Sequence, residues 1–363
     1  MKVVKVSLIV LLIMQSVSLN ADTIPERKGF WQQIKHQAGK IIESFTAVDT
    51  NYVEPQHYKF TMMLQNTNTY EKYRLENNEG QTITLAPSPS VKVGPFVGYQ
   101  WIFLGYTVDL KNFNKNKDRT EIDLSLYSSR IGIDLFYRKM GNHYYIRNLF
   151  INHQTNTKAL EDLPFNGFQS SIKGFNLYYI FNNKRFSYPA AFSQSTVQRK
   201  SAGSFLAGIG YTRHQTSIDI GELNRMVKEK IQFPSNHLAT NEPHVVFGDY
   251  RYTDFSVSAG YGYNWVFAHN WLLASSLSAA LGYKQSDGDI QQDNKWSAAY
   301  HVSKLNVDAL GRFGLVWNNT KWYAGTSAII HYYRFNRQQL TSNTLFGNLN
   351  IYVGFNFGRY KKQ

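Results

Sequence analysis

TLFGNLNIYVGFNFG, residues 344–358, alternates without interruption. Leu345, Gly347, Leu349, Ile351, Val353, Phe355 and Phe357 share one face, while Phe346, Asn348, Asn350, Tyr352, Gly354, Asn356 and Gly358 share the other. Strand side chains repeat every two residues, so one side of this segment suits an apolar medium and the other a mostly polar one. The apolar face ends on Phe357, close to the chain terminus. That is the pattern of the closing strand of an outer-membrane β-barrel.

Upstream, the same alternation recurs in about twelve stretches, near 90–99, 101–111, 119–127, 131–140, 142–150, 170–182, 200–213, 250–267, 271–285, 299–317, 321–336 and 344–358. In 271–285, Trp271 and Tyr283 bracket Leu273, Leu277, Ala279 and Leu281 on one face, and Ala274, Ser276, Ser278, Ala280 and Gly282 form the other. The span from Trp271 to Tyr283, tilted near 45°, covers about 28 Å, the height of an apolar band between aromatic girdles. Trp317 and Trp322 extend the girdle to the next two strands. In 299–317 the outward set is Leu305, Val307, Ala309, Phe313, Leu315 and Trp317. The expected fold is therefore all-β, an antiparallel transmembrane β-barrel of about 12 strands over 90–358. Fourteen is the alternative, should 58–66 and 80–86 join the wall.

Composition agrees. The 363 residues include 25 Tyr, 24 Phe and 25 Gly, and the mean hydropathy is −0.39. That is too polar for a bundle of membrane helices and very aromatic for a soluble protein, whereas a barrel wall shows lipid only every second residue. The one continuous apolar run is at the start: Lys2 and Lys5, then Val6 to Met14, then small residues to Ala21. It reads as a signal peptide over 1–21, too short to span a bilayer. Cysteine is absent, which excludes a lipoprotein anchor and a disulfide scaffold. The net charge of +14, or +12 without the leader's two lysines, suits anionic neighbours such as lipopolysaccharide phosphates, and export argues against nucleic acid.

Within 22–57, Phe30, Ile34, Ala38, Ile41 and Phe45 recur at helical spacing, predicting a short amphipathic helix on the periplasmic side. Residues 58–89 read as short strands leading into the barrel and broken at Pro87 and Pro89. Counting back from a periplasmic C-terminus places the tight turns Asn318–Asn319, His269–Asn270 and Gly141–Asn142 at the periplasmic end and the long segments 151–169, 214–249 and 286–298 outside. One long connection, 183–199, falls on the periplasmic side against this rule. It is either an internal element or the sign of a miscounted strand pair.

The segments FTMMLQNTNTYEKYRLEN (60–77), VGPFVGYQWIFLGYTVDL (93–110) and FNNKRFSYPAAFSQSTVQRKSAGSFLAGIGY (181–211) resemble a domain-of-unknown-function family of secreted, outer-membrane-type proteins from the Bacteroidetes. The resemblance covers roughly Phe45 to Phe357. It implies an envelope location, carries no assigned activity, and makes FSYPAAF a landmark packed inside or under the barrel.

Catalytic and metal signals are weak. Ser327 and His331 share an inward face but stand roughly 13 Å apart along a strand, too far for a nucleophile and its base. His143, His153, His237 and His244 form no tight ligand spacing, and SDGDIQQDN lacks the Glu of an EF-hand loop. No enzyme activity, cofactor or metal is expected. The residues with most content are inward charges, because charge on a lipid face is costly: Asp109, Asp123, Asp134, Arg138, Lys304, Asp308 and Arg312. They either pair and plug the lumen, the favoured reading, or line a hydrated path. Arg225, Lys228 and Lys230 are basic candidates in the long loop 214–249, itself expected as a solvated loop with one helical turn. The expected function is a structural envelope protein or a pore for small polar solutes, with outer-membrane lipid, lipopolysaccharide and the barrel-assembly machinery as partners. A lipid acyl hydrolase and a soluble all-β binding protein are the alternatives.

Overall fold

The computed structural model describes residues 48–99, 102–105, 108–109, 119–153, 155–231, 245, 247–286, 305–337 and 340–359. All of them belong to the second of two units, Val48–Gln363, the first being Met1–Ala47. The leader, the helix expected over 30–45, Lys304, His237, His244 and all of SDGDIQQDN after Ser286 lie outside the described residues.

In chain order the strands are β1 (Val53–Pro55), β2 (Tyr58–Asn77), β3 (Thr82–Pro87), β4 (Ser90–Tyr99), β5 (Ile102–Gly105), β6 (Val108–Asp109), β7 (Thr120–Tyr127), β8 (Ile131–Met140), β9 (Tyr144–Phe150), β10 (Pro164–Phe165) and β11 (Phe168–Ile180). A short helix α1 (Tyr188–Phe192) and β12 (Thr196–Gln198) precede β13 (Ala202–Ile218). Helix α2 (Ile220–Lys230) then leads to β14 (Tyr250–Ala268), β15 (Trp271–Ser286), β16 (Leu305–Asn318), β17 (Trp322–Arg337) and β18 (Leu340–Arg359).

The wall is antiparallel and runs β7, β8, β11, β13, β14, β15, β16, β17, β18, β2, β4, with β5 and β6 sharing the twelfth position on the far edge of β4. Among the described residues no backbone pairing joins β7 to β5 or β6. Side chains cross this seam instead: Glu121 of β7 meets Lys92 of β4, and Arg119 donates to Thr69 of β2 at 3.0 Å. The sheet therefore curls round on itself as a twelve-position barrel wall.

The number agrees with the expectation, but the membership differs. Residues 58–77 form one strand, because β18 pairs with β2 along its whole length, from Arg359 opposite Tyr58 to Leu340 opposite Asn77. Segment 142–150, expected in the wall, is β9, which pairs with β3 and β10 beyond the upper half of β2. Gly141–Asn142 accordingly sits at the end opposite His269–Asn270. With that exchange the turns at 128–130, 269–270 and 319–321 share one end, here the turn end, while β17 and β18 join at the opposite end. The long connections fall at the other, the loop end, apart from 181–201.

The two faces separate cleanly. Leu277 is 67% exposed and the adjacent Ser276 3%. Phe205, Val257, Leu281, Val307 and Ile351 extend the exposed apolar face from strand to strand. Trp271 is in register with Trp317, and Trp322 packs on Phe355, ring centroids 5.2 Å apart, near the turn end. Tyr283 stands at the loop end in register with Phe255 and Leu305. No helix among the described residues is long and apolar enough to cross a membrane. The apolar belt is made by strands.

At the loop end a hydrophobic cluster closes over the wall, with Leu75, Ile83, Leu85, Ile146 and Phe168 meeting Leu223 and Val227 of α2. Asp219 caps α2 by accepting from the Glu222 amide at 3.0 Å, and the buried Leu223 and Val227 stand one turn apart. The 11-residue helix replaces the single turn expected in 214–249.

Candidate functional site: the lumen

At the turn end the segment between β11 and β13 folds into the mouth. Ser187 caps α1, its hydroxyl accepting from the Ala190 amide at 3.2 Å, and Pro189 sits in the first turn, where a missing amide hydrogen costs nothing. Small wall residues make room: Ala190 and Ala191 pack on Leu272, Ala274 and Val316, and Gly262 faces the Phe186 ring, which a Cβ there would approach to 2.9 Å. Polar contacts fix the element. Asn264 donates to the Ser187 carbonyl at 2.8 Å, and Gln194 donates to the Tyr352 hydroxyl at 2.9 Å. FSYPAAF is thus an internal plug, and the odd parity of 183–199 reflects a built element, not a miscount.

Above the plug lies a layer of crossed charge. Arg312 of β16 is ion-paired with Asp134 of β8, and its guanidinium lies 4.6 Å from the Tyr178 ring centroid and 5.6 Å from that of Tyr188. Asp134 also accepts from the Ser125 hydroxyl at 2.7 Å. Further toward the loop end, Lys284 of β15 donates to Asp308 at 2.7 Å and to the Arg334 carbonyl at 2.7 Å. Asp254 of β14 stands beside them, its Oδ2 3.9 Å from Lys284 Nζ. Arg138 pairs with Asp123 at 2.8 Å and covers the Phe346 ring at 4.7 Å.

Rings span the interior among these charges, several of them members of the loop-end cluster. His331 lies 4.8 Å from Phe346 and 5.3 Å from Phe136 on the far wall, and His214 stacks on Tyr252 at 4.5 Å. The buried carboxylate of Glu71 accepts from Tyr144 at 3.0 Å and from Ser170 at 3.1 Å. A cavity of about 40 Å³ remains between the Arg312 and Lys284 layers, lined by Asn176, Ser256, Ser258, Ser278, Asp308 and Tyr333 among others. That is room for a few water molecules.

The inward candidates sort as follows. Asp123, Asp134, Arg138, Asp308 and Arg312 all enter this interior network. Asp109 is in register with the inward Lys92 near the seam. The basic candidates Arg225, Lys228 and Lys230 lie exposed on α2, away from the lumen, with Arg225 paired to Glu229 at 2.9 Å. Ser327 is in register with Asn350, whose amide reaches its hydroxyl at 3.5 Å, while His331 lies among rings. Among the described residues no group of three or more His, Cys, Asp or Glu side chains is placed to hold a metal. Missing from the expected set are Glu71, Asp254 and Lys284. The last two stand at inward positions of strands whose faces the alternation had already sorted.

Comparison with known proteins adds the following. No curated protein matches the chain. Among solved structures, it is similar to the outer membrane protease OmpT from Escherichia coli, at 6% identity and a TM-score of 0.37, with 82% of this chain and 97% of that one covered. It is similar also to the transport unit of the autotransporter AIDA-I from Escherichia coli, at 10% identity and a TM-score of 0.29 over 83% and 90% of the two chains. A third is the outer membrane protein OprG from Pseudomonas aeruginosa, at 7% identity and a TM-score of 0.26 over 84% and 98%. Likenesses this distant transfer no activity. A family model matches residues 47–357, nearly all of the described wall and plug, and the chain belongs to that family, the Domain of unknown function (DUF4421).

Proposed function

We propose that this chain is a plugged outer-membrane β-barrel, exported behind its N-terminal leader and seated with its long connections outward, which serves the envelope as a structural element and not as a standing pore. The observation that carries the reading is the Arg312–Asp134 pair drawn across the lumen, with α1 on one side and aromatic layers on the other. An open path for polar solutes needs a continuous hydrated channel, whereas the cavity between the Arg312 and Lys284 layers has room for a few waters. We assign no catalytic role: His331 is packed among Phe136, Phe346 and Tyr333, far from the geometry of a base serving a hydroxyl. The alternating C-terminal strand is the segment the barrel-assembly machinery would receive.

Single-channel recording of the purified protein in planar bilayers tests this. The expected result is no stepwise conductance in potassium chloride and no swelling of proteoliposomes in small neutral or charged solutes. Steady unitary steps would overturn the plugged reading.

A further inference from the structure

On the outward side of the loop end, cations stand where a sheet ordinarily avoids them. Lys173 of β11 and Arg213 of β13 are register partners, so their side chains leave the same face from directly opposed positions, where like charges repel. Lys139 of β8, in register with Ser171, lies one diagonal step from Lys173. The outward positions surrounding the pair are Tyr137, Ser171, Phe175, Tyr211, Gln215 and Thr253, and none is acidic. Lys139 and Lys173 are exposed and Arg213 half-buried.

The position matters as much as the charge. One side-chain step toward the turn end runs an outward aromatic row, with Phe175 and Tyr211 centroids 6.1 Å apart and Tyr211 and Phe255 5.1 Å apart. Below that row are Leu177, Ile209 and Val257, in register with one another. Lys173 and Arg213 therefore stand about 5 Å beyond the upper edge of the apolar belt, at the depth of lipid headgroups, with Lys139 one side-chain step farther out. Lys139 to Arg213 spans two strand spacings and one two-residue step along the strand, about 12 Å, more than one phosphate can bridge.

We infer that Lys139, Lys173 and Arg213 form a binding surface for a glycolipid headgroup bearing more than one phosphate, its acyl chains lying on the apolar rows beneath. The inference rests on the outer-membrane reading above. A free anion would meet these cations in open solvent, whereas a lipid brings its phosphates to them along the same face that its chains already cover. The anion removes the cross-strand repulsion that the sheet itself leaves uncompensated.

The test uses the full chain folded in nonionic detergent, with bisphosphorylated lipid A as the probe and monophosphoryl lipid A, phosphatidylglycerol and inorganic phosphate as comparators, bound lipid being counted by native mass spectrometry. The wild type should hold bisphosphorylated lipid A in preference to the three comparators. K139Q/K173Q/R213Q should bind it about a hundred-fold more weakly, at roughly 1 kcal/mol per surface cation. The single Lys173→Gln substitution, placed on an exposed side chain and so least disturbing to folding, should cost about five-fold. Undiminished lipid A binding by either variant overturns the inference, as does equal binding of phosphatidylglycerol or full competition by inorganic phosphate. Loss of the heat-modifiable gel shift in the wild type would instead strike the barrel reading itself, so the two failures are distinguishable.

Discussion

The guanidinium of Arg312 on β16 meets the carboxylate of Asp134 on β8, with four strands of the wall between them along the sheet. Neither residue belongs to a loop or a local turn, and the pair forms only when the sheet has curled far enough to bring opposite sides together. It reports wall curvature and lumen closure at once.

Breaking that pair from one side should be expensive. Arg312→Met leaves Asp134 buried with Ser125 and Tyr127 as its neighbours, and a stranded buried charge costs about 3–5 kcal/mol. Urea unfolding of the protein in lipid vesicles should show that loss. The double substitution D134L/R312M should regain most of it, because an apolar pair of similar volume strands no charge. A single variant as stable as the wild type would mean that the two groups do not meet.

The outward face makes the opposite demand. Leu277, 67% exposed near the middle of β15, should tolerate no charge if lipid covers it, and Leu277→Arg should cost about 2–4 kcal/mol in vesicle refolding. The same substitution at a water-exposed site would change stability by less than about 0.5 kcal/mol.

Two glycines of the wall should part company. A Cβ at Gly347 would press against the Ile329 carbonyl oxygen, whereas one at Gly311 has nothing within 4 Å. Gly347→Ala should therefore lose about 1–3 kcal/mol, since the backbone of the neighbouring strand has to move. Gly311→Ala should be neutral or slightly stabilising, and thermal melts monitored by gel shift would separate the two.

Much of the wall was legible in the residues because period-two alternation and lipid exposure sort side chains by the same rule, so the outward Leu277 and Val307 and the inward Asp308 and Arg312 follow from position alone. Residues 58–77 were read as several strands because Gln65–Thr69 has the polar composition of a turn. Pairing with β18 over the whole length overrides that local preference. The alternation of 142–150 was real but ambiguous: Tyr144 and Ile146 bury one face against the loop-end cluster just as a wall strand buries one against lipid or lumen. Asp254 and Lys284 were readable from inward parity, and Glu71 was hidden by the broken strand. That Asp134 meets Arg312 and not a nearer cation follows from curvature, which no local pattern encodes. The cap of α2 was present in Asp219 and Glu222, followed by Leu223 and Val227 one turn apart, and went unread because the segment lies in a long connection.

The central claim is that hydrocarbon meets the outer face of this wall while the inner face is sealed. The chain has no cysteine, so a spin label can be placed at one site without background. Labels at Leu277→Cys and at its neighbour Ser276→Cys, read by power saturation with oxygen and with a water-soluble nickel chelate in vesicles, test it most directly. The account predicts that the label at 277 is relaxed strongly by oxygen and weakly by nickel, and that the label at 276 is shielded from both. Strong relaxation of the label at 277 by the nickel chelate would contradict it.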